Sequence, residues 1–461
     1  MKKLFGLFSI AAATLALASC AGNKKANFIC PEEFDTETPV KVTFWNTMGA
    51  NLESVLLEAV EEFTALYPNV TVESTQIGGY DDVRDQIITN MGTGDYPSMA
   101  YCYADHVALY NEAEITVSLD DVMSDSKFGF NGSELKFDGV KKEDVVAGFL
   151  SEGSEFGDGL TYTLPFLKST EALFYNKTFF DENKLTVPTT WEEMWEVCAK
   201  IKEIDPKSTP LGYDSESNLF ITLAETYGYD YTSAKGENFL FNNEGMRGLM
   251  KTFKEKYDSG YFTTQNIYNS YTNTLMTDTS LDTRAYMCIG STAGATYQVN
   301  SAGAFETGVA AIPHAEDKEL KTISQGPSLV LFKKDNAQEV LAAWLFSQYL
   351  LTPTVQARFA LASGYLPVTT PATEIKEYQD FLGKAAGNKT GIAALATKQA
   401  LAQRDNYYSS AVFIGSSEAR DQVGNLIVQI MSDKAITSDN ADTKIKEYFD
   451  KAIKECEYMA G

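Results

Sequence analysis

The chain is 461 residues long, which exceeds what one ordinary hydrophobic core supports and suits two domains. Hydrophobic residues make up 44% of it and aromatic residues 12%, a composition that can fill sizeable cores and excludes a globally disordered chain. The formal net charge of −25 repels nucleic-acid phosphates and anionic membrane surfaces, so we expect no nucleic-acid partner. One small anion held by a local Arg or Lys remains compatible with that charge.

The N-terminus has the pattern of a bacterial export signal. A basic start precedes an apolar run, residues 4–17, that is too short to span a membrane as a helix. The run ends in Leu-Ala-Ser-Cys, which resembles the lipobox at which bacterial lipoproteins are cut before the cysteine and acylated. We predict a signal peptide over residues 1–19, lipidation of Cys20 and a flexible tether over residues 20–37. A plain secretory signal cleaved near Ala18 is the alternative.

The structured part opens with a strand–helix–strand pattern. Residues 40–45 alternate apolar and polar side chains as in a strand, and residues 52–63 carry apolar side chains at helical spacing. Tyr67-Pro68-Asn69 ends that helix, and residues 70–72 form the next strand. This order predicts a parallel sheet with a right-handed crossover.

A second segment, residues 160–201, combines two strands and a capped helix. Residues 160–164 alternate as in a strand, and residues 172–175 form a second apolar run. Thr190 and Glu193 then have the spacing of a capping box, and apolar side chains recur at helical spacing behind them. The segment predicts a strand, a crossing, a second strand and a helix.

Known catalytic patterns are missing from the sequence. Only two histidines are present, His106 and His314, and no metalloprotease, serine-hydrolase, P-loop or dinucleotide-binding motif occurs in a usable context. Residues 290–294 lack the spacing of a nucleophile turn, and Ser291 is better explained as a helix cap. The six cysteines are scattered and have no metal-binding spacing.

We predict no enzyme activity, no catalytic residue, no cofactor and no metal. A secreted glycoside hydrolase is the alternative of a different class, because acidic residues are abundant.

Three blocks of the chain together resemble the extracellular solute-binding proteins of carbohydrate-uptake ABC transporters. The first block is the strand–helix–strand opening over residues 40–72. The second runs from Leu-Pro-Phe-Leu through Phe-Tyr-Asn-Lys to Thr-Trp-Glu-Glu-Met over residues 164–194. The third runs from Gly-Val-Ala-Ala-Ile-Pro to Gly-Pro-Ser-Leu-Val-Leu-Phe over residues 308–332.

This resemblance implies a fold and its domain boundaries. The expected fold class is α/β, a two-lobe type II periplasmic-binding-protein-like fold in which each lobe is a mostly parallel sheet flanked by helices. Three hinge crossings would join the lobes. Lobe 1 would comprise residues 38–168 and 289–334, and lobe 2 would comprise residues 169–288 and 335–461.

A ligand of such a protein lies at the carboxyl ends of the strands, in the crevice between the lobes. Turns after strands and the crossing segments supply side chains that suit a polyol. Aromatic rings stack on its apolar face, and carboxylate, amide and guanidinium groups bind its hydroxyls. The candidate ligand-binding residues are Trp45, Asn46, Tyr80, Asp105, Ser169, Glu171, Ser291, Thr292, Gly326, Tyr365 and Arg420.

One branch of the family is especially similar. Ser-Gly-Tyr-Leu-Pro at residues 363–367 resembles a segment of the glycerol-3-phosphate-binding members. That similarity implies ligand contacts for Tyr80, Asp105, Ser169, Ser291, Gly326, Tyr365 and Arg420. Asp105 is shorter than the Glu of that branch, and residues 212–218 lack its Trp pair.

The resemblance implies a monomeric receptor on the extracytoplasmic face of the cell membrane, anchored through Cys20. It would capture a sugar or oligosaccharide and deliver it to the permease subunits of an ABC importer, which an ATPase drives. A glycerol-3-phosphate or glycerophosphodiester ligand is the alternative within the same fold. A surface adhesin that has lost its ligand site is a third hypothesis.

Overall fold

The structure of the protein, a computed structural model, describes residues 26–460. The predicted signal peptide and Cys20 lie outside the described residues. The strands are β1 (Val40–Asn46), β2 (Val70–Gln76), β3 (Met99–Cys102), β4 (Thr163–Pro165), β5 (Leu167–Lys168), β6 (Glu171–Asn176), β7 (Leu211–Tyr213), β8 (Phe262–Thr264), β9 (Met287–Ser291), β10 (Thr307–Ala310), β11 (Thr322–Ile323), β12 (Ser328–Leu331), β13 (Leu366–Pro367) and β14 (Tyr407–Tyr408). The α-helices are α1 (Ala50–Leu66), α2 (Tyr80–Asn90), α3 (Ala104–Glu112), α4 (Asp120–Ser124), α5 (Ala147–Ser151), α6 (Lys177–Asn183), α7 (Trp191–Ile204), α8 (Glu216–Tyr227), α9 (Glu244–Asp258), α10 (Gln265–Tyr268), α11 (Asn273–Thr277), α12 (Ala337–Leu350), α13 (Pro353–Ser363), α14 (Lys376–Leu382), α15 (Lys389–Ala402), α16 (Ser416–Ser432) and α17 (Ala441–Ala460).

Two five-stranded sheets define two lobes. The first sheet has the order β2-β1-β3-β12-β4, and the second has the order β10-β6-β9-β7-β8. In lobe 1, β1 is parallel to β2 and β3, whereas β12 is antiparallel to β3 and β4. In lobe 2, β7 is parallel to β8 and β9, whereas β6 is antiparallel to β9 and β10. The expected two-lobe α/β class is therefore present, but each sheet is mixed rather than mostly parallel.

The core of lobe 1 follows from the opening pattern of the sequence. On β1, Val40, Val42 and Phe44 are buried while the side chain of Lys41 is exposed, because alternate strand residues face opposite sides of a sheet. Helix α1 buries its apolar face, which includes Phe63, against this sheet. The predicted strand–helix–strand opening is confirmed, and the β1–β2 pairing is parallel.

The core of lobe 2 contains the predicted capped helix. Glu193 N–H donates to Thr190 Oγ1 at 3.2 Å, and Thr189 N–H donates to Glu193 Oε2 at 2.7 Å, so backbone groups left open at the helix start are satisfied. Behind this cap, the buried rings of Trp191 and Trp195 lie 5.4 Å apart, centroid to centroid. The predicted helix and its capping box are confirmed.

The lobe boundaries differ from the expected ones in the second half of the chain. Strand β10, within the segment expected in lobe 1, pairs with β6 of lobe 2. Strand β9, which straddles the expected boundary at residue 289, pairs with β6 and β7 in the same sheet. Only β12 of that segment joins the lobe 1 sheet, where it lies between β3 and β4. The assignment of residues 289–334 to lobe 1 is therefore wrong for β9 and β10.

Helices α12 and α13 also belong to the other lobe from the one expected. The ring of Phe346 on α12 lies 6.4 Å from that of Phe44 on β1 and 5.1 Å from that of Phe63 on α1. On α13, the ring of Phe359 lies 5.0 Å from that of Phe166 in lobe 1. The assignment of all residues 335–461 to lobe 2 is wrong here, because these apolar surfaces are buried against β1, α1 and the end of β4.

Three crossings join the lobes close to one another. The chain leaves lobe 1 between β5 and β6, returns between β11 and β12, and leaves again between α13 and α15, which packs against β10. The first two crossings are hydrogen-bonded: Ser169 N–H donates to Gln325 O at 2.6 Å, and Gln325 N–H donates to Ser169 O at 3.0 Å. Strand β13, at the start of the third, pairs with β5. The crossings therefore form one connected hinge region.

The described part of the expected tether, residues 26–37, lies on lobe 1. Asn27 N–H donates to Ser118 Oγ at 2.7 Å, and Cys30 N–H donates to Asp121 Oδ2 at 2.8 Å. Each bond joins residues 91 positions apart in the sequence. The expectation of a flexible tether is wrong for these residues, because their backbone and apolar side chains are used in lobe 1 packing.

Candidate ligand-binding cleft

A cavity of about 470 Å³ lies between the two lobes. Tyr103 and Asp105, around the start of α3, border it from lobe 1, and Arg420 on α16 borders it from lobe 2. Gln325 and Gly326, from the second crossing, also line it. Its volume is in the range of small-molecule sites, and its position in the interlobe crevice is where α/β proteins of this kind hold ligands.

The lobes touch across this cavity. Ser417 Oγ on α16 donates to Asp105 Oδ2 on α3 at 2.8 Å. A second interlobe bond joins the backbones, from Val412 N–H to Glu155 O at 2.9 Å. Both bonds require lobe 2 to lie against lobe 1, so the structure describes a closed arrangement.

Arg420 is held by a buried network that extends away from the cavity. Its Nη2 donates to Asn218 Oδ1, and Asn218 Nδ2 donates to Glu171 Oε1 at 3.0 Å. The Gln325 amide satisfies both neighbours when its oxygen faces Arg420 Nη2, at 2.5 Å, and its nitrogen faces Asn218. Tyr213 Oη completes the network by donating to Glu171 Oε2 at 2.6 Å.

Glu171 is a support for this network and does not border the cavity. The residue is only 2% exposed, and burial raises the pKa of its carboxyl group from 4.5 to about 7, against the opposing effect of the bonds from Tyr213 and Asn218. Its geometry makes it a positioning residue for Asn218 and, through Asn218, for Arg420.

Tyr80 and Tyr365, two of the three predicted aromatic residues, lie in a cluster of tyrosines beside the cavity. The ring of Tyr80 lies 4.4 Å from that of Tyr103 and 5.6 Å from that of Tyr101, centroid to centroid. Burial raises the pKa of Tyr80, Tyr103 and Tyr365, so their hydroxyl groups remain neutral hydrogen-bond donors. Only Tyr103 of these rings borders the cavity, and sequence reasoning did not select it.

The other predicted residues brace the surrounding elements. Asn46 is 2% exposed and donates to Ser74 Oγ at 2.8 Å, and Trp45 packs in a lobe 1 core cluster. Thr292 Oγ1 accepts from Thr170 N–H at 3.2 Å, which fastens the end of β9 to the first crossing.

Ser291 and Ser169 are also bonded within the framework. Ser291 Oγ accepts from Ala293 N–H at 3.3 Å, so the predicted cap is present, on a short 3₁₀ helix. Ser169 uses its backbone to join the first two crossings. Of the eleven predicted site residues, the structure brings three to the border of the cavity: Asp105, Gly326 and Arg420.

The sequence model of the bacterial extracellular solute-binding proteins matches residues 58–390. The chain belongs to this family. A solute-binding protein with a similar sequence is the sn-glycerol-3-phosphate-binding periplasmic protein UgpB of Escherichia coli K12, which is 23% identical over 388 residues covering 78% of this chain and 81% of UgpB.

Two solved structures of solute-binding proteins have the same fold. The cyclic alpha-maltosyl-1,6-maltose binding protein of Arthrobacter globiformis matches with a TM-score of 0.69 and 18% identity, covering 90% of this chain and 99% of its own. UgpB from Mycobacterium tuberculosis, solved with glycerophosphocholine, matches with a TM-score of 0.68 and 17% identity, covering 91% and 99%. This solute-binding protein is therefore a binding protein rather than an enzyme, with an extracytoplasmic location.

The described residues of this solute-binding protein contain no group of three or more His, Cys, Asp or Glu side chains that could hold a metal ion. Among residues 26–460, no helix is long and apolar enough to cross a membrane. Cys30, Cys102, Cys198, Cys288 and Cys456 are free thiols.

Sequence reasoning also missed a buried ion pair at the edge of this cleft. Lys168 on β5 is 0% exposed, and its Nζ contacts Glu152 Oε2, which lies in the 3₁₀ helix Glu152–Ser154. Lys168 Nζ also donates to Gly326 O at 2.9 Å and to Ser328 Oγ at 3.0 Å. A signal was present: Lys168 follows Leu-Pro-Phe-Leu in a run that must be buried, and a buried Lys needs a partner.

Proposed function

We propose that this solute-binding protein captures a sugar or sugar-like polyol in the cleft between its lobes and delivers it to the permease of an ABC importer. The observation that carries the proposal is the composition of the interlobe cavity. It combines the carboxylates of Asp105 and Glu152, the guanidinium of Arg420 and the phenol ring of Tyr103, which come from both lobes. Such groups bind the hydroxyls of a polyol and stack on its apolar face.

Capture depends on closure of the lobes. Asp105 and Arg420 lie on opposite lobes, so one ligand contacts both only when the cleft is closed, and the ligand thereby favours the closed state. The three hydrogen-bonded crossings supply the hinge for this motion. The permease and its ATPase would recognise the closed, loaded protein.

A glycerol-3-phosphate or glycerophosphodiester ligand is the second candidate. The names of the UgpB relatives and the placement of Arg420 at the cavity favour it. The charge balance opposes a phosphate monoester. Four carboxylates border the cavity (Asp81, Asp105, Glu152 and Asp421) against two guanidinium groups (Arg84 and Arg420), and the buried ammonium of Lys168 behind Glu152 still leaves one net negative charge. Burial also lowers the pKa of the neighbouring His106, which keeps it neutral. A neutral polyol fits this balance better than a dianion.

The membrane attachment is part of the proposal. Lipidation of Cys20 would hold the protein, as a monomer, on the extracytoplasmic face of the cell membrane beside its permease. Mass spectrometry of the protein expressed in a bacterial host tests this step. A diacylated or triacylated N-terminal peptide starting at Cys20 supports it, and an unmodified peptide starting near Ala18 contradicts it.

The ligand assignment is tested by thermal unfolding of the chain from residue 21 onward. The panel comprises glucose, maltose, maltotriose, glycerol, sn-glycerol-3-phosphate and glycerophosphocholine. A ligand at 100 times its dissociation constant adds about 2.7 kcal/mol to the free energy of unfolding, which raises the melting temperature by at least a couple of degrees in a chain of this size. Stabilisation by neutral members supports the polyol assignment. A response confined to sn-glycerol-3-phosphate and glycerophosphocholine would replace the polyol assignment with the second candidate. If no member of the panel raises the melting temperature, both assignments are contradicted.

A further inference from the structure

The ion pair at the edge of the cleft uses only one of its two carboxylate oxygens. Glu152 Oε2 contacts Lys168 Nζ and also accepts from Ser328 Oγ at 3.0 Å. In the part of the chain that the structure describes, Oε1 has no hydrogen-bond partner. Because a carboxylate has acceptor sites on both oxygens, Glu152 retains unused capacity.

The Glu152 side chain, with its unused acceptor oxygen, lies at the cavity. Glu152 borders the cavity, and its side chain is 11% exposed whereas that of Lys168 is 0% exposed. The small accessible part of the ion pair is therefore on the Glu152 side chain. A nearly buried carboxylate with a free oxygen gains free energy when a donor reaches it.

The carboxylate is also held rigidly. Lys168 and Ser328 belong to β5 and β12, the strands next to the first two crossings, and Lys168 additionally donates to Gly326 O. The position of the Glu152 oxygen is thus fixed by both crossings before any ligand arrives. Acceptors held in place by other bonds cost little ordering entropy on binding.

We propose that Glu152 is a ligand-contacting residue whose Oε1 accepts a hydrogen bond from a hydroxyl group of the captured polyol. This inference rests on the proposed function of the cleft and extends it to a residue outside the eleven predicted ones. It also gives the cleft a specificity element, because a fixed carboxylate favours ligand groups that donate and repels phosphate oxygens.

The test is isothermal titration of the chain from residue 21 onward and of its Glu152→Gln variant with the panel named above. Glutamine keeps the shape of the side chain but replaces a charged acceptor by a neutral amide. A charge-assisted bond is about 1 kcal/mol stronger than a neutral one, so the dissociation constant for the neutral sugars should rise about five- to tenfold. The matched control is Glu143→Gln, which alters an exposed carboxyl that does not border the cavity and should bind as the unmodified protein does.

A second variant separates binding from folding. Glu152→Gln leaves Lys168 buried without its counter-charge, so the double variant Lys168→Met with Glu152→Gln removes both charges and should also fold. If neither variant changes the dissociation constant, or if either binds the neutral sugars more tightly, the contact does not exist. If the unmodified chain binds no member of the panel, the proposed function itself fails and this inference falls with it.

Discussion

The two sides of the hinge hold buried carboxyl groups in different ways. On the lobe 1 side, Glu152 meets the ammonium group of Lys168, and the pair is surrounded by the crossing strands. On the lobe 2 side, Glu171 meets only neutral donors, Tyr213 and Asn218, and the positive charge of Arg420 lies one residue further away. A direct counter-charge compensates burial of a carboxylate. At Glu171, burial outweighs the hydrogen bonds from Tyr213 and Asn218 and the more distant charge of Arg420, so its pKa is raised to about 7.

Two carboxyl groups close to one cleft can therefore have separate roles. The Glu152–Lys168 pair supplies a rigidly held carboxylate next to the cavity, and Glu171 supplies a titratable group behind it. The first should respond to removal of its partner, and the second should respond to pH.

Removal of the counter-charge should have the largest effect. Lys168→Met leaves the Glu152 carboxylate buried with only Ser328 as a donor, and breaking one side of a buried ion pair typically costs about 3–5 kcal/mol. Urea unfolding of the ligand-free variant measures the loss. The control is Lys41→Met, which breaks the pair with Glu73, 56% and 54% exposed, and should cost less than about 1 kcal/mol. Equal losses in the two variants would contradict the difference drawn between buried and exposed pairs.

The pH dependence of stability through Glu171 should be the second largest effect. The folded-state pKa of Glu171, about 7, lies above its ordinary value of 4.5, so the folded protein keeps a proton that the unfolded chain releases. The contribution of Glu171 to the free energy of unfolding therefore falls as the pH rises from about 4.5 to 7, by roughly 3 kcal/mol in all.

Urea unfolding at pH 5 and pH 7.5 tests this dependence. The fall between the two pH values should be smaller in Glu171→Gln than in the unmodified protein, because glutamine does not titrate. Glu73→Gln, at an exposed surface pair, should leave the fall unchanged. An identical fall in Glu171→Gln and the unmodified protein would show that Glu171 is ionised in the folded state at neutral pH.

The elements that sequence reasoning placed well are those whose signals are local. The alternation of Val40, Val42 and Phe44 and the capping box of Thr190 and Glu193 involve neighbours in the chain, and both are present as predicted. Lobe membership is not local. Helix α12 is apolar on all sides, which predicts burial but does not say which sheet covers it, and it packs on lobe 1 instead of lobe 2.

The same distinction between local and non-local signals applies to the residues of the candidate site. Asp105 and Arg420 reach the cavity from turns and helices that the sequence located. The residues at the end of β9 were also located, but Thr292 is bonded to Thr170 and is therefore used within the framework. Glu152 was missed because its partner Lys168 lies 16 residues away and meets it only through the tertiary fold. A strand–turn pattern identifies where a site lies and leaves the direction of each side chain open.

Removal of the hydrogen bond between Ser417 and Asp105 across the cavity should have the smallest effect. Ser417→Ala removes the hydrogen bond to Asp105 Oδ2, which is the described side-chain hydrogen bond between α16 and α3 across the cavity. One such bond contributes about 0.5–1.5 kcal/mol net, so the closed arrangement should lose a factor of two to ten in population relative to an open one. Small-angle X-ray scattering of the ligand-free protein should show a larger mean radius of gyration in the variant.

A variant of the acceptor, Asp105, is needed as well as that of the donor, Ser417, to interpret the scattering result. Asp105→Asn retains an acceptor for Ser417 and should keep the scattering curve of the unmodified protein, whereas Ser438→Ala, on an exposed turn, should change nothing. If Ser417→Ala and the unmodified protein scatter identically, the free energy of closure lies in the remaining interlobe contacts, such as that of Val412 with Glu155. Closure would then be a property of the hinge and the backbone, and the ligand would select the closed state by contacting Asp105 and Arg420 from the two lobes at once.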